Sequence, residues 1–167
     1  MHILQISTVV CAFISLLLLL IALGSDYWLQ SDNANSGLWV ACGPVFSIYT
    51  CYSPSINAVQ GFYHATRAFM FFGMIAGAIS CIGLCCNFFS FQLGFISKTK
   101  NSAKASLVAA GCVLIAMAIF TGRTAAAISS STWYYGWSFG LGWATFPLFL
   151  ITGGLAFALD RAVSTAA

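Results

Sequence analysis

Four apolar runs set the problem this chain must solve. They extend from about Ile3 to Gly24, Thr66 to Phe89, Ala105 to Thr124 and Phe139 to Leu159. Each holds about 20 residues, the length a helix needs to cross a bilayer's hydrocarbon core. The first carries no charge; Arg67 opens the second, Arg123 lies near the end of the third, and Asp160 and Arg161 follow the fourth. Strands are excluded, because the runs are too long and lack period-two polarity. A spanning β-barrel would show segments of about ten residues with alternating polarity. Charge confirms the class. Six basic and three acidic side chains in 167 residues, 5% charged against 60% hydrophobic, cannot clothe a soluble domain, where roughly 25% charged is usual. The expected fold is an all-α transmembrane four-helix bundle, one domain over residues 1–167. Its loops span 25–65, 90–104 and 125–138. A lipid bilayer is its first partner. No basic run long enough for nucleic acid occurs.

Ala22-Leu23-Gly24 is similar to a signal-peptidase site. The apolar stretch before it, however, exceeds the 7–15 residues usual for a signal peptide, and no Lys or Arg precedes it. The segment is expected to remain as a span.

Orientation follows from the lysines. Lys98, Lys100 and Lys104 all fall between the second and third runs, so the positive-inside rule places that link and both termini in the cytoplasm. Arg161 agrees. Residues 25–65 and 125–138 then face outward at the plasma membrane. All five tryptophans and all six tyrosines lie in or beside those two loops. The other side has only phenylalanines, from Phe88 to Phe95.

Cys42 and Cys51 are the only cysteines in an outer loop, an oxidising setting that favours a bridge over two free thiols. Gly43-Pro44 is expected to help reverse the chain between them, and Val45, Phe46, Ile48 and Tyr49 favour extended structure. A short hairpin or meander closed by a disulfide follows. Of the remaining cysteines, Cys11, Cys81 and Cys112 read as small packing residues. Cys85 and Cys86, near the cytoplasmic end of the second run, are candidate palmitoylation sites.

Trp28, Gly37-Leu38-Trp39, Cys42 and Cys51 together resemble the first outer loop of the claudin superfamily. The segments His64-Ala65-Thr66-Arg67-Ala68-Phe69-Met70, Ala118-Ile119-Phe120-Thr121 and Tyr135 to Trp143 are similar to its branch of peripheral myelin, epithelial membrane and lens fibre intrinsic proteins, the lens fibre pattern above all. The resemblance covers all four runs and both loops. It implies a left-handed four-helix bundle under a small extracellular antiparallel sheet, and roles in cell–cell contact, junctions or membrane organisation. It also marks Arg67 as part of the family pattern. Two departures stand out. Neither outer loop has an Asn-x-Ser/Thr sequon, and Ser164-Thr165-Ala166-Ala167 is not a PDZ-binding terminus of the claudin type.

Gly73 with Gly77, and Gly136 with Gly140, form Gly-x-x-x-Gly pairs suited to close helix approach, within the bundle or between copies. Pro147 should bend the fourth helix. Arg67 can pair with Asp26 or with loop carbonyls, or snorkel to headgroups. Nothing resembles a catalytic or cofactor site: His2 and His64 are isolated, no metal-ligand cluster or phosphate loop occurs, and no carboxylate lies mid-span.

The functional expectation is therefore a structural and adhesive tetraspan protein, not an enzyme, that associates with itself in cis or in trans. Phe46, Ile48, Tyr49 and Trp133-Tyr134-Tyr135 are its candidate contact residues, with burial against the sheet as the alternative. Two other readings are a paracellular barrier or pore, for which Asp26 and Asp32 offer little fixed charge, and an auxiliary subunit of another membrane protein. The orientation has a direct check. An epitope appended after Ala167 should label only in permeabilised cells, and labelling of intact cells overturns the orientation.

Overall fold

The computed structural model describes residues 2–55, 57, 59–89 and 99–166. Lys98, Phe91, Phe95 and Ala167, used in the sequence reading, lie outside the described residues. Four helices account for most of the chain: α1 (His2–Gly24), α2 (Gly61–Phe88), α3 (Thr99–Ser129) and α4 (Trp137–Ala166). All four are long and apolar enough to cross a membrane. Each packs against two neighbours, in the closed ring α1–α2–α3–α4–α1.

The helices outrun the apolar segments. At 31 residues, α3 is about 46 Å long, well beyond a hydrocarbon core of about 30 Å. Hydropathy marks where lipid ends. The helix continues because Lys100 to Lys104 and Ala125 to Ala127 include good helix formers. Proline at 147 lies inside α4.

Between α1 and α2 the chain builds β1 (Leu29–Ser31), β2 (Ala34–Ser36), β3 (Ala41–Val45) and β4 (Ile48–Tyr52); β5 (Tyr134–Tyr135) precedes α4. They form one antiparallel sheet in the order β4-β3-β2-β1-β5. The β1–β5 pairing, Leu29 with Tyr135 and Gln30 with Tyr134, draws the second loop into the same platform. The fold is thus a claudin-like tetraspan with a small sheet at one end.

Lipid gives helices no hydrophobic reason to associate, so close contact and interior hydrogen bonds must hold the bundle. Ser80 donates to the Ser102 carbonyl at 2.8 Å, joining α2 to α3, and Ser106 donates to the Phe149 carbonyl at 2.9 Å, joining α3 to α4. The Ser15 and Thr152 hydroxyls meet at 3.4 Å between α1 and α4. Gly73 faces Val113 of α3, and Gly77 faces Phe149 of α4, so this pair seats two partner helices inside the bundle. Gly136 and Gly140 correct the sequence reading. Gly136 lies against the Tyr27 carbonyl at the sheet, and a Cβ at Gly140 would meet nothing within 4 Å. Spacing alone could not reveal that α4 begins at Trp137, which leaves Gly136 outside the helix.

A Cβ at Gly77 would sit 2.8 Å from the Phe149 ring, itself fully buried. Gly77→Leu should therefore cost about 1–3 kcal/mol by overpacking, read as a lower unfolding midpoint in detergent. Gly140→Leu should leave that midpoint unchanged or raised. Equal effects would show that Gly77 is not a packing contact.

Candidate functional site

An α-helix ends with four carbonyls that lack intrahelical donors. At the end of α1 these belong to residues at the edge of lipid, where an unsatisfied carbonyl is costly. Two tryptophans supply the donors. Trp28 Nε1 donates to the Ala22 carbonyl at 2.6 Å, and Trp39 Nε1 donates to the Leu23 carbonyl at 2.9 Å. The Ser25 amide reaches the Ile21 carbonyl at 3.0 Å. Trp28 is fully buried, edge-on to Phe120 at 4.8 Å and to Phe139 at 6.1 Å.

Gly37 and Leu38 explain the rest of the Gly-Leu-Trp triplet. A Cβ on Gly37 would lie 2.5 Å from the Asp26 Cα and from the Ser25 carbonyl oxygen. Backbone against backbone leaves room only for hydrogen. Leu38 is buried in the core shared by sheet and helices. Its carbonyl accepts from Arg67 Nε at 2.8 Å and also from Nη2. The same guanidinium stacks 4.5 Å from the centre of the Trp39 ring. Of the partners open to Arg67 in the sequence, the loop carbonyl is the one it takes, not Asp26. The five residues Trp28, Gly37, Leu38, Trp39 and Arg67 therefore form one joint between α1, the sheet and α2.

Cys42 and Cys51 lie directly opposite each other on β3 and β4 and are bridged, with 4.0 Å between their Cα atoms. The reversal is not at Gly43-Pro44, which lie within β3. It falls at Phe46-Ser47, between the paired Val45 and Ile48. A two-residue turn makes Val45–Ile48 the hydrogen-bonded pair and Pro44–Tyr49 a non-hydrogen-bonded one. The missing N–H of Pro44 thus points away from β4, and β2 pairs with β3 only at Cys42 and Ala41. Proline is tolerated there because no acceptor is waiting.

Both turn residues have positive φ, 49° at Phe46 and 70° at Ser47. That is the geometry of a primed hairpin turn, which favours Asn-Gly. Phe46 is nonetheless 97% exposed. Ile48 and Tyr49 are also exposed, and the Tyr49 hydroxyl donates to Asn35 Oδ1 on β2. The second aromatic cluster divides. Tyr134 is exposed. Tyr135 stacks on Phe139 at 4.0 Å, with its hydroxyl 3.2 Å from that of Thr124, so it belongs to the core rather than to a contact surface. Trp133 is half-buried.

Beneath the sheet, between it and the tops of α2 and α3, lies a cavity of about 490 Å³. Leu38, Trp39, Tyr63, Arg67, Arg123 and Trp133 are among its walls. Sequence reasoning missed it, since its walls come from three separate parts of the chain. At the opposite end of the bundle Cys85 and Cys86 are free, half-buried thiols; Cys85 packs against the small core cluster of Ala12, Cys81, Leu84, Ala103 and Ala156. Cys81 is buried in the same cluster. Among the described residues, no group of three His, Cys, Asp or Glu side chains is placed to hold a metal ion.

Residues 1–156 match the model of the PMP-22/EMP/MP20/Claudin family. The chain belongs to that family. Protein NKG7 of Mus musculus is 30% identical over 148 residues, covering 82% of this chain and 79% of its own length. The lens fiber membrane intrinsic protein of Homo sapiens is 29% identical over 151 residues, covering 86% and 83%. This member of the claudin family is a multi-pass membrane protein, and its joint gives the Trp…Gly-Leu-Trp…Arg pattern a physical basis: Trp28, Trp39 and Arg67 supply donors, Leu38 supplies the carbonyl that Arg67 takes, and Gly37 gives the link room to approach.

Arg67→Gln removes a charge-assisted bond and the ring stacking, a loss on the order of 2–4 kcal/mol. The variant should unfold at lower temperature in detergent and reach the cell surface poorly. Arg67→Lys should recover less than half of the loss, because an ammonium cannot reproduce the two-nitrogen grip on one carbonyl. Full recovery by Lys would reduce the role of Arg67 to charge alone.

Proposed function

We propose that this protein is a structural, adhesive member of its family, with both termini cytoplasmic and the sheet outside the cell. It contributes to cell–cell contact or junction organisation by associating through the sheet. Lys100 and Lys104 open α3 at the end remote from the sheet, which supports that orientation.

The exposed aromatic at the hairpin tip carries the reading. Holding a non-glycine residue in the left-handed region costs about 1–2 kcal/mol, and a large apolar side chain in water adds nothing to offset it. Strain of this kind tends to be kept where it serves a contact. The disulfide and the Tyr49–Asn35 bond hold the tip rigidly, so contact area forms at small entropic cost. In addition, β4 is an edge strand with all five residues exposed. An open edge is a template for strand pairing between copies in one membrane.

The tip can be tested without touching the joint. Phe46→Asn with Ser47→Gly installs the residues that the turn prefers, so the hairpin should form at least as well, with Cys42–Cys51 intact and surface amount unchanged. Enrichment at contacts between expressing cells, normalised to surface amount, should fall. Undiminished enrichment would remove the tip as the adhesive surface. No enrichment in the parent would favour the auxiliary-subunit reading instead.

A further inference from the structure

We propose that the cavity beneath the sheet, together with a groove leading from it between α2 and α3, forms a binding site for a membrane lipid with an anionic headgroup. Cavity and groove share Gln60, Phe62 and Arg123 and adjoin at those residues. At about 490 Å³ the cavity has the size of a small-molecule site. Its polar end holds two guanidiniums. Arg67 uses one N–H from each of two nitrogens on the Leu38 carbonyl, which leaves three of its five donors. Arg123 has no hydrogen bond, ion pair or ring contact among the described residues. The chain's three carboxylates, Asp26, Asp32 and Asp160, are absent from both linings. Two positive charges thus line one partly open cavity with no carboxylate on its walls.

The groove supplies the other half of the recognition. Below Arg123 its walls are Ala65, Ala118, Ile119 and Gly122, apolar and mostly small. From Arg123 down to Ala118 the groove follows about 7–8 Å of helix, room for the upper part of an acyl chain. A free anion would leave this apolar channel without use, and a neutral lipid would leave the arginines unpaired. A phosphate, sulfate or carboxylate headgroup with its chain in the groove satisfies both. Such a headgroup gains charge-assisted hydrogen bonds in a setting less screened than open water.

The full-length protein in phosphatidylcholine nanodiscs provides the test. The probes are phosphatidylglycerol and phosphatidylcholine carrying bromine on an upper acyl carbon, read by quenching of tryptophan fluorescence. Trp39 and Trp133 line the cavity. The brominated anionic lipid should associate roughly two- to fivefold better than the zwitterionic one, the range for a half-exposed ion pair. Arg123→Gln should bring that ratio close to one while the unfolding midpoint holds, since no described contact is lost. Gly122→Leu fills the groove at a position where a Cβ meets nothing within 4 Å, and it should lower association of the anionic lipid as well. Soluble glycerol phosphate should not compete. A ratio near one in the parent, an unchanged ratio in Arg123→Gln, or effective competition by glycerol phosphate each overturns the lipid site.

Discussion

Everything at the sheet end depends on the treatment of α1's last carbonyls. A helix that stops inside a protein can find donors among neighbours or water. One that stops at the margin of lipid must be given them. Here the donors are two indole N–H groups, from Trp28 and Trp39, each attached to a side chain large enough to remain in contact with the apolar core. Because Trp28 immediately precedes β1 and Trp39 lies in the link between β2 and β3, capping α1 also fixes where the sheet sits. Arg67 then ties the Trp39 segment to α2. One hydrogen-bonding requirement thereby links helix end, sheet and second helix. The absence of a Cβ at Gly37 lets the link between β2 and β3 pass against the backbone of Ser25-Asp26, close enough for all three.

The bundle below solves a different problem by different means. With lipid on the outside, large apolar side chains gain little by turning inward. The large exposed residues of α1, such as Phe13, Leu17 and Ile21, accordingly face out, while Thr8, Ala12 and Ser15 are buried. Small residues bring backbones together, and hydroxyls reach carbonyls across or along the helices. Gly142 sits against Met117 and Gly153 against Leu107, extending to α4 the role that Gly73 and Gly77 have on α2. Large side chains still fill the core, Leu19, Met70, Met117, Phe120 and Phe149 among them, while the small residues supply the close backbone approaches between them.

The parts legible in the sequence share a common cause. The four spans could be read because lipid imposes one requirement on about 20 consecutive residues. The Cys42–Cys51 hairpin could be read because two cysteines share one loop. What could not be read depends on register and on distant neighbours. The turn at Phe46-Ser47 follows from the pairing of Cys42 with Cys51, which fixes the strands symmetrically about it, yet composition favoured Gly43-Pro44. Gly136-x-x-x-Gly140 has the same spacing as Gly73-x-x-x-Gly77 but begins outside its helix. Tyr134 and Tyr135 are adjacent and chemically identical, and alternation along β5 sends one outward and the other onto Phe139. The cavity, with walls from the first loop, α2 and α3, has no local signature at all.

That alternation also explains how one short sheet can have both an anchor and an outward surface. Its inner side ends in Trp28, Leu38 and Tyr135, packed on Phe120 and Phe139. Those rings hold the platform at a fixed height above the bundle. Its far corner is a hairpin whose tip is strained and apolar. A tip on a mobile loop would relax, either by turning Phe46 back onto the sheet or by abandoning positive φ. Neither path is open easily when Cys42–Cys51 fixes the strands four residues from the tip and Tyr49 is bonded across to β2. Rigidity that begins with two carbonyls at the end of α1 thus reaches, through the sheet, the most exposed side chain among the described residues of the hairpin.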